Sequence, residues 1–294
     1  MSLVADQTIM SIIAEAVSGG QCILFLGAGV HSPPPPEKPE YIYPENERPP
    51  MGRAFSESLA GKCSFSQKFP RENAGNLQRV SLCYEIDYQR TKLVDELRKA
   101  VDIGKKPSPL LNALARLNFP LIVTTNYDQL FEVALYGAGK RPVKGIYNKD
   151  ENTPTDDHMD ASTDRPFIFK IHGDIDQPES IVITDEDYIQ FVLRMSDKDP
   201  YNPVPETFRY RFKQWPTLFV GYSLLDYNLR LLFMTLRWRM DKSKTPQTYS
   251  VDPYPDPLIF DVWHNTHKYV TFLAQDVWTF IPQLYEKVTG QPMP

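Results

Sequence analysis

Four short, largely apolar runs constrain this chain more than any other feature: Cys22–Leu26, Leu121–Thr125, Phe167–Ile171 and Thr217–Val220. None shows the strict alternation of a half-exposed strand, so each reads as a strand buried on both faces, the pattern of a parallel sheet covered by helices. Helical patterns lie between and around them, over Gln7–Val17, Arg53–Leu59, Leu77–Ala100, Pro109–Leu117, Leu130–Leu135, Asp226–Met240 and Asp276–Val288. Ser18-Gly19-Gly20 stops the first helix, and Thr184–Asp187 caps another that runs to about Met195. Ser180–Thr184, Gln247–Val251 and Lys268–Leu273 are weaker strand candidates, while Gly137–Arg165 reads as a polar loop or insertion. Strands alternating with helices predict an α/β fold, a Rossmann-like parallel sheet flanked by helices through right-handed crossovers.

Length and composition fit one domain over residues 1–294, with a proline-rich loop and helical insertion at about 31–117. Hydrophobic residues at 41% and charged residues at 23% are an ordinary globular balance. Twenty-seven prolines against fourteen glycines predict stiff, ordered loops, most of all over residues 31–50. No run of about 18 apolar residues suggests a membrane span. The N-terminus lacks the basic region of a secretory signal, so a cytoplasmic location is expected. Cys22, Cys63 and Cys83 are odd in number and form no CxxC, which argues against a disulfide framework and a zinc module. A net charge of −5 gives no drive toward nucleic acid.

Each of the four runs ends in a small polar cluster: GAG, TTNYD, KIHGD and GYSLLD. In an open α/β sheet, ligands sit outside the carboxyl ends of the strands, at the switch in strand order. Gly27, Ala28 and Gly29 would let the backbone approach a diphosphate near a helix start. Asn126 offers a donor and an acceptor to ribose hydroxyls or water, and Asp128 an acceptor carboxylate. Either could instead cap the helix at Leu130, and Asp128 is the stronger capping candidate. His172 brings an imidazole that titrates near neutral pH, with Gly173 keeping one side open and Asp174 placed to orient the ring. His31, His158, His264 and His267 lack comparable company, and no metal is expected. Gly221 and Ser223 would contact phosphate or ribose, unless Ser223 or Asp226 merely caps the next helix.

In this order the four clusters resemble the SIR2-like (sirtuin-like) NAD-consuming family, in particular its bacterial anti-phage defence branch. The resemblance covers the chain from about Cys22 to the final helix. It implies diphosphate contacts at Gly27, Ala28 and Gly29, a nicotinamide-ribose site at Asn126 and Asp128, a catalytic His172, and further cofactor contacts at Thr125, Gly221 and Ser223. Several features depart from the deacylating sirtuins. His31 replaces a small hydroxyl residue, Thr125 stands in place of glutamine, and a four-cysteine zinc module and a GIPDFR-like loop are both missing. The resemblance therefore implies hydrolysis of NAD+ to nicotinamide and ADP-ribose as a defence effector, with NAD as substrate. An NAD-dependent deacylase and a non-catalytic NAD-binding or scaffold subunit are the alternatives. Expected partners are further copies of the chain and a sensor in trans, such as a HerA-type ATPase or an Argonaute-like protein.

Overall fold

A computed structural model describes residues 3–149, 160–195, 203–204, 206–224, 246–263 and 270–294. Its seven strands are β1 (Ile23–Leu26), β2 (Leu121–Thr124), β3 (Val143–Ile146), β4 (Phe167–Lys170), β5 (Thr217–Val220), β6 (Thr248–Val251) and β7 (Thr271–Leu273). All pair in parallel, in the order β3-β4-β2-β1-β5-β6-β7. This is the expected Rossmann-like α/β architecture. After β1 the chain adds β2 beside it, runs out to β3 at the edge and comes back to place β4 between β2 and β3, then crosses to β1's other side to build β5, β6 and β7. The switch in strand order falls between β1 and β5.

Register explains why the runs are apolar throughout. Leu24, Ile122, Ile168 and Leu218 align across four strands and face one layer, whereas Phe25, Val123, Phe169 and Phe219 face the other. The first layer holds α1 (Leu3–Ser18), α5 (Pro109–Arg116), α6 (Leu130–Gly137) and α10 (Val277–Thr289). The second includes α7 (Asp185–Arg194), α8 (Glu206–Phe212) and α9 (Pro257–Asp261). A third apolar cluster lies in the excursion α2 (Gly52–Lys62), α3 (Phe65–Lys68) and α4 (Leu77–Val101), closed by Ile175, Ile181 and Ile183 from the segment after β4. The proline-rich segment is tied down. Lys38 Nζ donates to Trp278 O at 2.6 Å, and Trp278 Nε1 donates to Ser32 Oγ at 3.2 Å.

Three expectations need correction. The stretch Gly137–Arg165 is not all loop, because Val143–Ile146 pairs with β4 as an edge strand. Ser180–Thr184 joins no sheet: Ser180 ends a short 3-10 helix, and Val182 N donates to His172 O at 3.0 Å. Side chains take up other backbone groups, with Tyr127 Oη donating to Val182 O at 2.8 Å and Ile183 N to Asp187 Oδ2 at 3.0 Å. The helix expected over Leu77–Ala100 is broken at Gln89, whose φ of 72° is left-handed. The helix expected over Asp226–Met240 lies outside the described residues, as do His158, His264 and His267.

Candidate functional site

At the carboxyl edge of the sheet the β1 and β5 tails cross. Gly27 N donates to Val220 O and Gly29 N to Gly221 O, both at 2.9 Å. A Cβ on Gly27 would lie 2.5 Å from Gly221 O, and one on Gly29 2.7 Å from Gly221 Cα. These glycines are required by the crossing of two backbones at the switch point, a packing demand that the bare sequence does not reveal. Ala28–His31 then forms a short 3-10 turn. Tyr222, overlooked in the sequence, bridges the tails of β5 and β2. Its ring lies against Gly27, and its hydroxyl lies 3.1 Å from both Thr125 N and Thr125 Oγ1.

The β2 tail is braced by Thr124, whose Oγ1 donates to Leu26 O at 2.7 Å and accepts from Asn126 N at 3.0 Å. Asp128 is buried, and its Oδ1 accepts from Leu130 N at 2.9 Å, so it satisfies the first N–H of α6 from one residue before the cap position, which Gln129 holds. Its other oxygen lies 3.2 Å from His31 Nε2. Burial alone would raise the Asp128 carboxyl, but His31, the Lys170 charge and the Leu130 N–H outweigh it and hold it below the usual carboxylate range. The expectation that His31 lacks polar company is therefore overturned.

His172 is buried directly after β4, with Nδ1 3.4 Å from Tyr188 Oη and its ring edge-on to Tyr188 and Phe191. Asp174 has a different role from the one expected. Its carboxylate meets Lys170 Nζ at 2.9 Å, Lys144 Nζ at 3.1 Å and Gln129 Nε2 at 3.0 Å. Lys170 is wholly buried beneath the site and also reaches Glu132 at 3.3 Å and the carbonyl of Asp128. Burial disfavours its charge, but Glu132, Asp174 and Asp128 outweigh that and keep it raised. Gly173 has φ +88°, and a Cβ there would meet Ser180 O at 2.3 Å. The glycine serves that crossing, not only access to His172.

Two cavities flank the Gly27–Gly29 turn. One of about 280 Å³ is lined by Ala28, His31, Thr125, Asn126, Asp128, His172 and Tyr188, with Phe55, Leu77 and Leu97 from the α2–α4 excursion. The amide, carboxylate and imidazole singled out in the sequence share this space. The other, about 340 Å³, is lined by Gly29, Gly221, Tyr222 and Ser223, with apolar walls from Pro33, Met51, Val251 and Trp278. Among the described residues, one group of possible metal ligands comes together away from both, Cys63, Cys83 and Asp87, with donor atoms within 4.8 Å of one another. Burial and the neighbouring Cys83 push the Cys63 thiol up to about 11, and Asp87 is paired with Lys68.

A parallel α/β sheet with polar strand tails gathered at its switch point defines a doubly wound protein with its site at the carboxyl edge. The SIR2-like domain family matches residues 120–272, just over half of the 294, and the chain belongs to that family. It is 27% identical over 237 residues to the NAD(+) hydrolase ThsA of Enterococcus faecium, covering 79% of this chain and 43% of that protein. Identity to the NAD(+) hydrolase ThsA of Bacillus cereus (strain MSX-D12) is 27% over 240 residues, covering 77% and 44%. Defense-associated sirtuin 2 of Bacillus subtilis is 22% identical over 249 residues, covering 84% and 22%. The chain thus spans less than half the length of these relatives.

Proposed function

We propose that the chain hydrolyses NAD+ to nicotinamide and ADP-ribose, as an effector of anti-phage defence that depletes the cytoplasmic NAD pool. The observation that carries this reading is the shared cavity of Asn126, Asp128 and His172 against the Gly27–Gly29 turn. The names of the relatives support it. So does the second cavity, whose apolar walls suit an adenine while Gly221 and Ser223 offer polar contacts to its ribose.

Nicotinamide leaves NAD+ as a neutral molecule, because the electrons of the breaking C1′–N1 bond cancel the positive charge of its ring. Acid assistance is therefore unnecessary, unlike at an ordinary glycoside. What remains is to orient the ribose, to support positive charge on it, and to deliver water. Asn126 holds the ribose and the water. The Asp128 carboxylate supplies a fixed negative charge to the site. His172 takes the proton that the water releases as its oxygen bonds to C1′. Gly27, Ala28 and Gly29 face the diphosphate, and Thr125, through its tie to Tyr222, fixes the wall between the two cavities. No step requires a metal.

Unchecked hydrolysis would exhaust the host's own NAD, so the activity needs a restraint or a trigger. Self-association or a sensor in trans, such as a HerA-type ATPase, fits that need. The test is product analysis of the purified chain with NAD+, alone and with its partner. Wild-type protein should release nicotinamide and ADP-ribose, and Asn126→Ala or His172→Ala should slow it at least about 100-fold. Full turnover in either variant refutes the assignment, and consumption of an acetyl-lysine peptide with NAD+ would establish a deacylase instead.

A further inference from the structure

His31 stands at a position where the resemblance implies a small hydroxyl residue, and the structure shows it inside a chain of buried hydrogen bonds. Asp128 Oδ2 lies 3.2 Å from His31 Nε2, and His31 Nδ1 lies 3.3 Å from Tyr43 Oη. Tyr43 Oη in turn donates to Lys106 O at 3.0 Å. His31 is 2% exposed and Tyr43 5%, so water does not compete for these bonds. A carboxylate only accepts, so Nε2 is the donor to Asp128. The Tyr43 hydroxyl lies within reach of both Nδ1 and Lys106 O, and so ties the other side of the ring to the link between α4 and α5. Both ring nitrogens thus have a partner, and the imidazole has one orientation that satisfies both.

The chain of bonds joins parts far apart in sequence. Tyr43 belongs to the proline-rich segment, Lys106 to the link between α4 and α5, His31 to the turn after β1, and Asp128 to the tail of β2. Asp128 also accepts from Leu130 N, so both of its oxygens are held and its side chain cannot rotate without losing a bond. Two residues before it lies Asn126, in the same cavity.

We infer that His31, backed by Tyr43, is a positioning residue that fixes the Asp128 carboxylate and with it the Asn126–Asp128 turn against the turn after β1. This rests on the reading of that cavity as the seat of NAD+ cleavage. His31, 2% exposed in the wall of that cavity, acts through Asp128. A misplacement of about 1 Å in a reacting group can cost on the order of 100-fold in rate. Loss of His31 should therefore appear in kcat, with the KM for NAD+ changed little.

The experiment measures kcat and KM for NAD+ in wild-type protein, His31→Leu, His31→Gln, Asp128→Asn and the His31→Leu/Asp128→Asn double variant. Glutamine carries an amide donor at the reach of Nε2, whereas leucine carries none. His31→Leu should lower kcat by about 10- to 100-fold with KM within about threefold, and His31→Gln should recover most of the loss. The double variant should be no slower than Asp128→Asn alone, since a residue that works through Asp128 has nothing left to position. Amide exchange over residues 126–130 reads the same proteins without substrate: His31→Leu should speed it and His31→Gln should not. Gln as impaired as Leu, multiplicative losses in the double variant, or unchanged exchange in His31→Leu overturns the inference. A wild-type chain that leaves NAD+ intact with its partner present sinks the functional reading instead, and the exchange data then decide the role of His31 alone.

Discussion

Lys170 sits at the bottom of the site with no exposure, surrounded by Asp174, Glu132 and the carbonyls of Tyr127 and Asp128. A methionine of similar volume would fill the space and leave the acids without their cation. Breaking a buried ion pair from one side costs about 3–5 kcal/mol, because the remaining charge stays desolvated. We expect Lys170→Met to lose stability on that scale in urea unfolding, and a loss under about 1 kcal/mol would show that the acids find other partners. The burial of this lysine also shows what single residues conceal. The sequence places Lys170 in an apolar run and Asp174 four residues on, beside His172, so the nearer pairing of Asp174 with the histidine looked natural. It is the tail of β4 turning at Gly173 that sends the carboxylate back under the strand. His31 was illegible for a similar reason, since its partners Tyr43 and Asp128 lie 12 and 97 residues away. That Asn126, Asp128 and His172 come to one cavity was legible because each lies shortly after a buried strand, where backbone direction brings side chains to one edge.

Among the elements, strands with both faces buried announced themselves, and the edge strand β3 did not. Val143–Ile146 is mostly half-exposed and carries Gly145, so it shows neither a continuous apolar run nor a clean alternation. The segment Ser180–Thr184 failed in the opposite direction: Ile181 and Ile183 are apolar, β-branched and buried in the cluster of α4, yet the segment bonds to side chains and to the His172 carbonyl in place of a strand. The start of α7 was legible because capping is local. Thr184 and Asp187 form a reciprocal capping box, and Arg90, just past the break in α4, donates to Asp187 Oδ2 at 2.8 Å. Burial raises the Asp187 carboxyl, but Arg90 and the N–H groups of Thr184 and Ile183 outweigh it and leave it lowered. A carboxyl with a folded pKa below its unfolded value stabilises fully above the unfolded value, near 4, and loses that contribution as pH falls through the folded value. Asp187→Asn should therefore cost about 1–3 kcal/mol at pH 7, and the gap to wild type should narrow as pH falls below about 4. A gap that stays constant from pH 7 to pH 3 would remove the charge from the explanation.

For the molecule as a whole, the decisive arrangement is the pair of cavities on either side of one glycine turn. The first is roofed by the α2–α4 excursion and floored by the tails of β2 and β4, and the second is walled by the proline-rich segment, the β5 tail and the start of α10. Neither alone has the polar groups for a whole dinucleotide, but a ligand with a diphosphate at the turn would engage both. ADP-ribose, the expected product, is a probe that keeps the diphosphate and both riboses and cannot be turned over. At about 100 times its Kd it should stabilise the fold by about 2.7 kcal/mol, because it binds only the native state. Hydrogen exchange should slow together in the turn after β1, in residues 125–130, in the β5 tail and in the roof helix α2. Nicotinamide should slow only the first cavity and adenosine only the second. If ADP-ribose protects one cavity and leaves the other at its free rate, the two are separate sites, and a single dinucleotide spanning the switch point is no longer the way this sheet edge works.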